Sequence, residues 1–474
     1  MKLPEGPTSP AIVQLIQWII DPIGVLENCA KRYGDTFTLN LRNFQPLVFF
    51  SHPQAIREIF TTDPNLFDSG RGSNILQPLV GENSLLLLDG DRHTQQKRLI
   101  MPPFHGERMQ AYAQLIGDIT EQVASQWQVG KPICMREQMQ DITLQVIMQA
   151  VFGLREGVRY QRLKPLLATL LNMTDSPVSS SLLFFQFLQQ DWGAWSPWGR
   201  FVRRRQQIYE LLQAEIDERR EQSHLEGDDV LSLMMSARDE QGQPMTDAEL
   251  KDELMTLLFA GHETTATALA WAFYWIHKRP EIYQKLIQEL DSLGDHPEPM
   301  AIAKLPYLTA VCQETLRIYP VVFITFPRIT KAPMQIMGRD YDTNTALYPC
   351  IYLTHHRQDI YAEPEQFKPE RFLERQFSPY EYLPFGGSSR RCVGLALAQM
   401  EMKLVLASIL SRYQLSLRDT KPVKPQRRGL TISPEGGVQM VMQGVRYVLK
   451  EQASPTHPAP VPVGTARAEV GAAE

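Results

Sequence analysis

Apolar and polar residues alternate over Asp35–Arg42, and again after Asn43-Phe44-Gln45, with the period of two that predicts an early β-hairpin. A helical period then takes over. It predicts helices over 107–127, 139–152, 201–220, 247–278, 280–293, 305–318 and 392–413. Short β patterns return near 345–353 and 430–447. No repeat period and no linker divides this series. The fold class is therefore mainly α with a minor β portion, in one domain over 21–450. A Pro-rich segment, 1–20, precedes it, and the Pro/Ala-rich composition of 451–474 predicts a disordered tail.

Two stretches depart from ordinary amphipathic patterning. Within 247–278, Leu254–Ala260 and Ala266–Phe273 are apolar almost all round, as in a helix buried on every side. Gly261-His262-Glu263-Thr264-Thr265 interrupts them. Such polar groups are costly to bury unless partners satisfy them. One reading is a satisfied plug between helices. The other is a local opening at Gly261, with the Thr264 hydroxyl bonding the Ala260 carbonyl, which makes a groove for a ligand and a short proton-delivery chain. The second stretch is the aromatic block of 182–198, with Trp192, Trp195 and Trp198. It reads either as core packing or as a mobile lid over an apolar pocket. The adjacent Arg200, Arg203, Arg204 and Arg205 read as a solvated helix face.

Composition narrows the function classes. With 43% hydrophobic residues in 474, a large core is available. A net charge of −5 and pI near 6.1 exclude a nucleic-acid binder held by bulk positive charge. Met1–Pro10 has no signal-type apolar region, and Ala11–Ile20 is too short and polar for a membrane span. Five scattered cysteines give neither a disulfide framework nor a Cys-x-x-Cys zinc spacing, which fits a reducing, cytoplasmic setting.

Among them, Cys392 follows a Gly386-Gly387 bend and immediately precedes a strong helix pattern. Helix N–H groups, the dipole, Arg390 and Arg391 favour its thiolate, as nucleophile or metal ligand. A nucleophile needs a base, and this segment holds no histidine. A lone intracellular cysteine is otherwise a small core residue. Glu314 and Arg317 can pair at i,i+3, a common surface feature that gains meaning only when buried. Pro369-Glu370-Arg371-Phe372 reads either as an ordinary turn or as a loop whose Arg371 joins that pair.

In this order, the segments resemble the cytochrome P450 family over about 20–448, most closely its soluble cyanobacterial members. Phe385, Arg390, Cys392 and Gly394 match the family's haem-binding loop, with Ser388 where glycine is usual. Ala260–Thr265 matches its oxygen-activation motif, and Glu314, Arg317 and Arg371 its charged triad.

The resemblance implies a prism-like fold with haem b between the oxygen-activation helix and the helix after the cysteine. It implies Cys392 as the metal ligand, Phe385 packed near the sulfur, and Glu263 and Thr264 as catalytic proton-delivery residues. His93, Lys97, Arg328 and Arg390 are the implied partners of the haem propionates, with Arg98 a fifth candidate. Lys97 stands where arginine is common and lacks its bidentate geometry. The implied substrate walls are 72–82, Phe259, Ala260, Val321 to Phe326 (including Val322 and Phe323), Leu430 and Thr431. They suit a lipophilic substrate such as a fatty acid or terpenoid.

The chain carries no flavin or iron–sulfur segment. O2 chemistry therefore needs NAD(P)H-derived electrons from a reductase through a ferredoxin or flavodoxin; Arg92, Lys97, Arg98 and Arg391 read either as its docking face or as solvated and propionate-bound charges. No nucleic-acid partner and a monomer are expected. A peroxide-using or hydroperoxide-rearranging enzyme on the same fold, and a haem sensor, are the competing readings; the Glu263-Thr264 pair argues against both.

Overall fold

The structure is a computed structural model that describes residues 2–106, 108–173, 183–185, 188–221, 227–294 and 296–446. The tail expected from 451 lies outside these residues, as do Leu182, Gln186 and Phe187 of the aromatic block. Helices of seven residues or more are α1 (Ala11–Ile20), α2 (Pro22–Tyr33), α3 (Pro53–Thr61), α4 (Gly90–Ile100), α5 (Arg108–Ala124), α6 (Met135–Val146), α7 (Val158–Asn172), α8 (Pro197–Glu221), α9 (Val230–Ser236), α10 (Asp247–Lys278), α11 (Pro280–Asp291), α12 (Pro306–Ile318) and α13 (Leu395–Arg412). Among the described residues, no helix is long and apolar enough to cross a membrane.

The strands are β1 (Thr36–Leu39), β2 (Leu47–Phe50), β3 (Phe67–Asp68), β4 (Pro132–Cys134), β5 (Arg328–Thr330), β6 (Met334–Ile336), β7 (Arg339–Tyr341), β8 (Ala346–Pro349), β9 (Tyr413–Leu417), β10 (Pro425–Arg428), β11 (Thr431–Pro434) and β12 (Gln439–Val445). The main sheet runs β1-β2-β8-β5-β3, with only β2 and β8 parallel. The predicted hairpin is β1–β2, and its inward Phe37 and Phe49 stack at 5.4 Å.

The N-terminal Pro-rich segment contributes a helix of its own. Leu15, Trp18 and Ile19, spaced for one helical face, bury α1 against the main sheet, with Trp18 5.5 Å from Phe49. The β pattern near 345–353 is only partly a strand. β8 ends at Pro349 and Ile351–His355 is a helical turn, because so short an apolar run does not distinguish the two by period. The pattern at 430–447 divides into β11 and β12, separated by Gly436 and Gly437 at φ 69° and 75°.

α10 sits at the centre of the helical layer, against α6, α13, α12 and β11. A capping box between Thr246 and Glu249 starts it, and Arg279-Pro280 stops it. It runs unbroken through Gly261, so the local opening expected there is absent. Gly261 serves close packing instead. A Cβ at that position would lie 3.2 Å from Ile147 Cδ1, in the π-helical turn Ile147–Val151 that ends α6.

Candidate functional site

The loop before α13 is closed by the Cys392 N–H donating to the Phe385 carbonyl at 3.0 Å. Its bend needs Gly387, where a Cβ would fall 2.3 Å from the Phe60 ring. Ser388 adopts φ 59°, the left-handed region that disfavours L side chains, so the departure from glycine carries backbone strain. Left-handed strain of about 1–2 kcal/mol exceeds the entropic penalty of glycine, about 0.5–1 kcal/mol. Ser388→Gly should therefore raise stability by roughly 0.5–1 kcal/mol, read as a higher urea midpoint; a lower midpoint would contradict this account of the loop.

Cys392 is open to solvent on one side and packed by protein behind. That burial raises its thiol above the ordinary value, against the lowering effects of the Gly394 N–H, Lys97 and Arg391. The thiolate-favouring surroundings read from the sequence are present, but desolvation outweighs them. A coordinated metal ion would reverse the balance, because a coordinating thiol is deprotonated outright. Among the described residues, no group of three or more His, Cys, Asp or Glu could hold a metal ion. Cys392 thus offers a single sulfur ligand.

Beside the loop, four predicted cation donors gather. Lys97 donates to the Ser389 carbonyl at 2.6 Å. Arg328, 3% exposed, reaches the carbonyls of Phe326 (3.1 Å) and Gly387 (3.2 Å). Burial, then the Arg390 charge, pushes its guanidinium down to about 9. His93 is held neutral, pushed down to about 3 by burial and then by Arg390, Lys97 and Arg328. Arg390 alone pairs with a carboxylate, Asp89 Oδ1 at 2.6 Å.

Among the described residues, Lys97 and Arg328 have no carboxylate partner. Three cations against Asp89 leave two positive charges beside a single thiol. A dianionic group carrying a metal that a thiolate can bind fits this donor set, and haem, with its two propionates and iron, would meet it. Asp89 was not foreseen. Its Oδ1 also accepts the N–H groups of Ser69 (2.8 Å) and Gly70 (2.9 Å), so it ties Arg390 to the 69–71 segment. Arg98 is elsewhere, ion-paired with Glu240 on the surface.

On α10, Phe259 and Thr264 are half-buried and Ala260 is exposed, an accessible strip in an otherwise enclosed helix. The Thr264 hydroxyl donates to the Ala260 carbonyl. His262 and Glu263 turn the other way. Glu263 accepts from Arg136 Nη2 and Gln140 Nε2 on α6, both at 2.8 Å, and from Thr267 Oγ1 at 3.1 Å. His262 Nδ1 is 2.8 Å from the Thr143 hydroxyl, and burial, then Arg136, pushes it down to about 3. These two residues form the polar plug between α6 and α10, while Thr264 stands on the accessible strip.

Glu314, Arg317 and Arg371 meet in one network. Arg317 donates to both Glu314 oxygens, at 2.7 and 2.8 Å, with both side chains 0% exposed. Arg371 Nε donates to Glu314 Oε1 at 3.1 Å, and the Lys368 N–H at 2.8 Å. Arg317 also binds the His355 and Gln366 carbonyls, so the network fastens the chain that leads into the Cys392 loop.

The implied substrate walls are less uniform. Val322 and Leu430 are exposed, at 37% and 40%, while Thr431 is buried in β11. Phe323 is buried, its ring 5.6 Å from that of Trp18 in the core against the main sheet. The proposed basic face also contracts: Lys97 points inward and the exposed Arg98 is ion-paired with Glu240, leaving Arg92 and Arg391 exposed without a carboxylate partner among the described residues. In the aromatic block, Trp192 and Trp195 stack at 6.0 Å on the surface, and Trp198 packs with Phe201 at the start of α8.

A family model described as cytochrome P450 matches residues 4–441. The chain is 35% identical over 454 residues to cytochrome P450 135B1 of Mycobacterium tuberculosis, covering 94% of this chain and 93% of that protein. It is 30% identical over 445 residues to cytochrome P450 138 of Mycobacterium bovis, covering 94% and 97%. Two solved structures share the fold. One is the retinoic-acid-bound cyanobacterial CYP120A1, with TM-score 0.81 and 24% identity over 93% of this chain and 99% of that one. The other is the haem domain of cytochrome P450DA, with TM-score 0.81 and 22% identity over 94% and 98%.

Proposed function

This chain belongs to the cytochrome P450 family of haem-thiolate monooxygenases, and from that premise we propose that it hydroxylates a lipophilic substrate, a fatty acid or terpenoid. Electrons reach it from NAD(P)H through a ferredoxin or flavodoxin, and it works in the cytoplasm. The observation that carries the reading is the pair of uncompensated positive charges beside the Cys392 thiol.

Cys392 would hold the iron of haem b, and Lys97, Arg328 and Arg390 its propionates. Bound there, haem supplies the activation of O2, with thiolate donation favouring O–O cleavage. The chain's own part is to place donors and exclude water. Thr264 offers a hydroxyl on the accessible strip of α10 and moves the proton. Glu263, held by Arg136, Gln140 and Thr267, acts as an anchored carboxylate behind Thr264. The apolar residues of the strip, Phe259 and Ala260, face the substrate.

Turnover with a surrogate ferredoxin system, screened over fatty acids and terpenes, tests the reading. NADPH oxidation without oxygenated product from any of them would refute it. Thr264→Ala should keep haem and substrate binding but release reduced oxygen as hydrogen peroxide, with product per electron falling about a hundredfold. Unchanged product per electron would remove Thr264 from proton delivery.

A further inference from the structure

Buried arginines require counter-anions, because an unpaired guanidinium away from water costs several kcal/mol. Among the described residues, Arg136, Arg317, Arg328 and Arg427 are at most 4% exposed. Arg136 faces Glu263, Arg317 faces Glu314, and Arg328 belongs to the haem-propionate cluster. Arg427 has no such partner.

Its Nη1 donates to the Ile19 carbonyl at 2.9 Å, while Nη2 is buried with no partner. Its Cζ lies 4.9 Å from the centre of the Phe184 ring. Among the described residues, no acidic group offsets the burial that pushes this guanidinium down to about 10. One carbonyl and one ring face do not replace a carboxylate.

The position of Arg427 connects it to the substrate walls. It lies on β10, opposite Ile432 of β11. The Ile432 N–H donates to the Val321 carbonyl at 2.9 Å, and its carbonyl accepts from Trp271 Nε1 of α10 at 3.1 Å. The hairpin is thereby fastened to both α10 and the 321–326 segment. On the other side, Phe184 is half-buried and its ring centre lies 6.3 Å from that of Phe44, which is 37% exposed. Phe184, itself half-buried, is thus in contact with both the guanidinium and the partly exposed Phe44 ring.

We infer that Arg427 receives the carboxylate of an amphipathic acid whose apolar remainder runs along the β10–β11 hairpin toward the accessible strip of α10. This deepens the lipophilic-substrate reading and rests on it: the substrate class is an acid, a fatty acid or an isoprenoid acid.

Calorimetric titration of the holoenzyme, above the ligands' carboxyl pKa, would compare laurate with methyl laurate and farnesoate with methyl farnesoate. In at least one pair the acid should bind about ten- to a hundredfold more tightly than its ester. The pair showing the preference identifies the chain type. Arg427→Met should erase the preference while leaving ester affinity unchanged, and Arg427→Lys should keep part of it. Equal binding of acid and ester to the wild type overturns the inference without recourse to any variant. So does an equal loss for acid and ester in both variants, the mark of a brace for the end of α1. Oxygenated product without acid preference would sink this inference and leave the monooxygenase reading standing; acid preference without product would do the reverse.

Discussion

Glu314→Ala should cost about 3–5 kcal/mol and leave little folded holoenzyme, the largest stability loss expected from a single side chain here. The carboxylate is 0% exposed and accepts from Arg317 Nε and Nη2, Arg371 Nε and the Lys368 N–H. Its removal strands one fully buried guanidinium, weakens another and leaves a backbone donor unpaired. Domains are stable by only about 5–15 kcal/mol, so such a loss is a large share of the total.

The same variant should also lower haem retention, because Arg317 and Arg371 hold the 362–371 segment that leads toward the Cys392 loop. Glu314→Leu combined with Arg317→Met should recover part of the stability, since an apolar replacement of a whole buried pair is tolerated better than half of it. Recovery stays incomplete, because the bonds from Arg317 to the His355 and Gln366 carbonyls are lost too. Urea midpoints and haem content measure both effects. An unchanged midpoint in Glu314→Ala would show that the network is dispensable.

Where the sequence predicted well, the signal was local. The span 247–278 was legible to its ends, since Thr246, Glu249 and Arg279-Pro280 are start and stop signals within a few residues of them. The residues of the Cys392 loop were legible because their order in the chain resembles a known pattern. What sequence missed was long-range. Arg136 and Gln140 lie 127 and 123 positions from Glu263, and no period in either helix couples them.

Gly261 shows the same limit. A glycine in a helix looks identical in sequence whether it opens the helix or admits a neighbour, and only Ile147 decides between them. Asp89 stands at the N-terminal boundary of α4 without capping it, and its side chain accepts from Ser69, Gly70 and Arg390 instead. Likewise α1 is a short apolar run whose character was settled by the sheet beneath it.

Cys392→Ala should reduce turnover more than about a hundredfold, because loss of a ligand exceeds the tenfold to hundredfold cost of losing a residue that merely orients one. Haem content should fall less steeply, since Lys97, Arg328 and Arg390 still provide for the propionates. Arg328→Met should show the opposite balance. Haem affinity falls about ten- to a hundredfold with the loss of a buried charge-assisted partner, while turnover per bound haem stays near wild type. The two variants therefore separate ligand from anchor, with haem content measured alongside product. A thiolate-specific absorption signature should be absent in the first and present in the second. If Cys392→Ala kept both the signature and its turnover per haem, the thiol would not be the ligand.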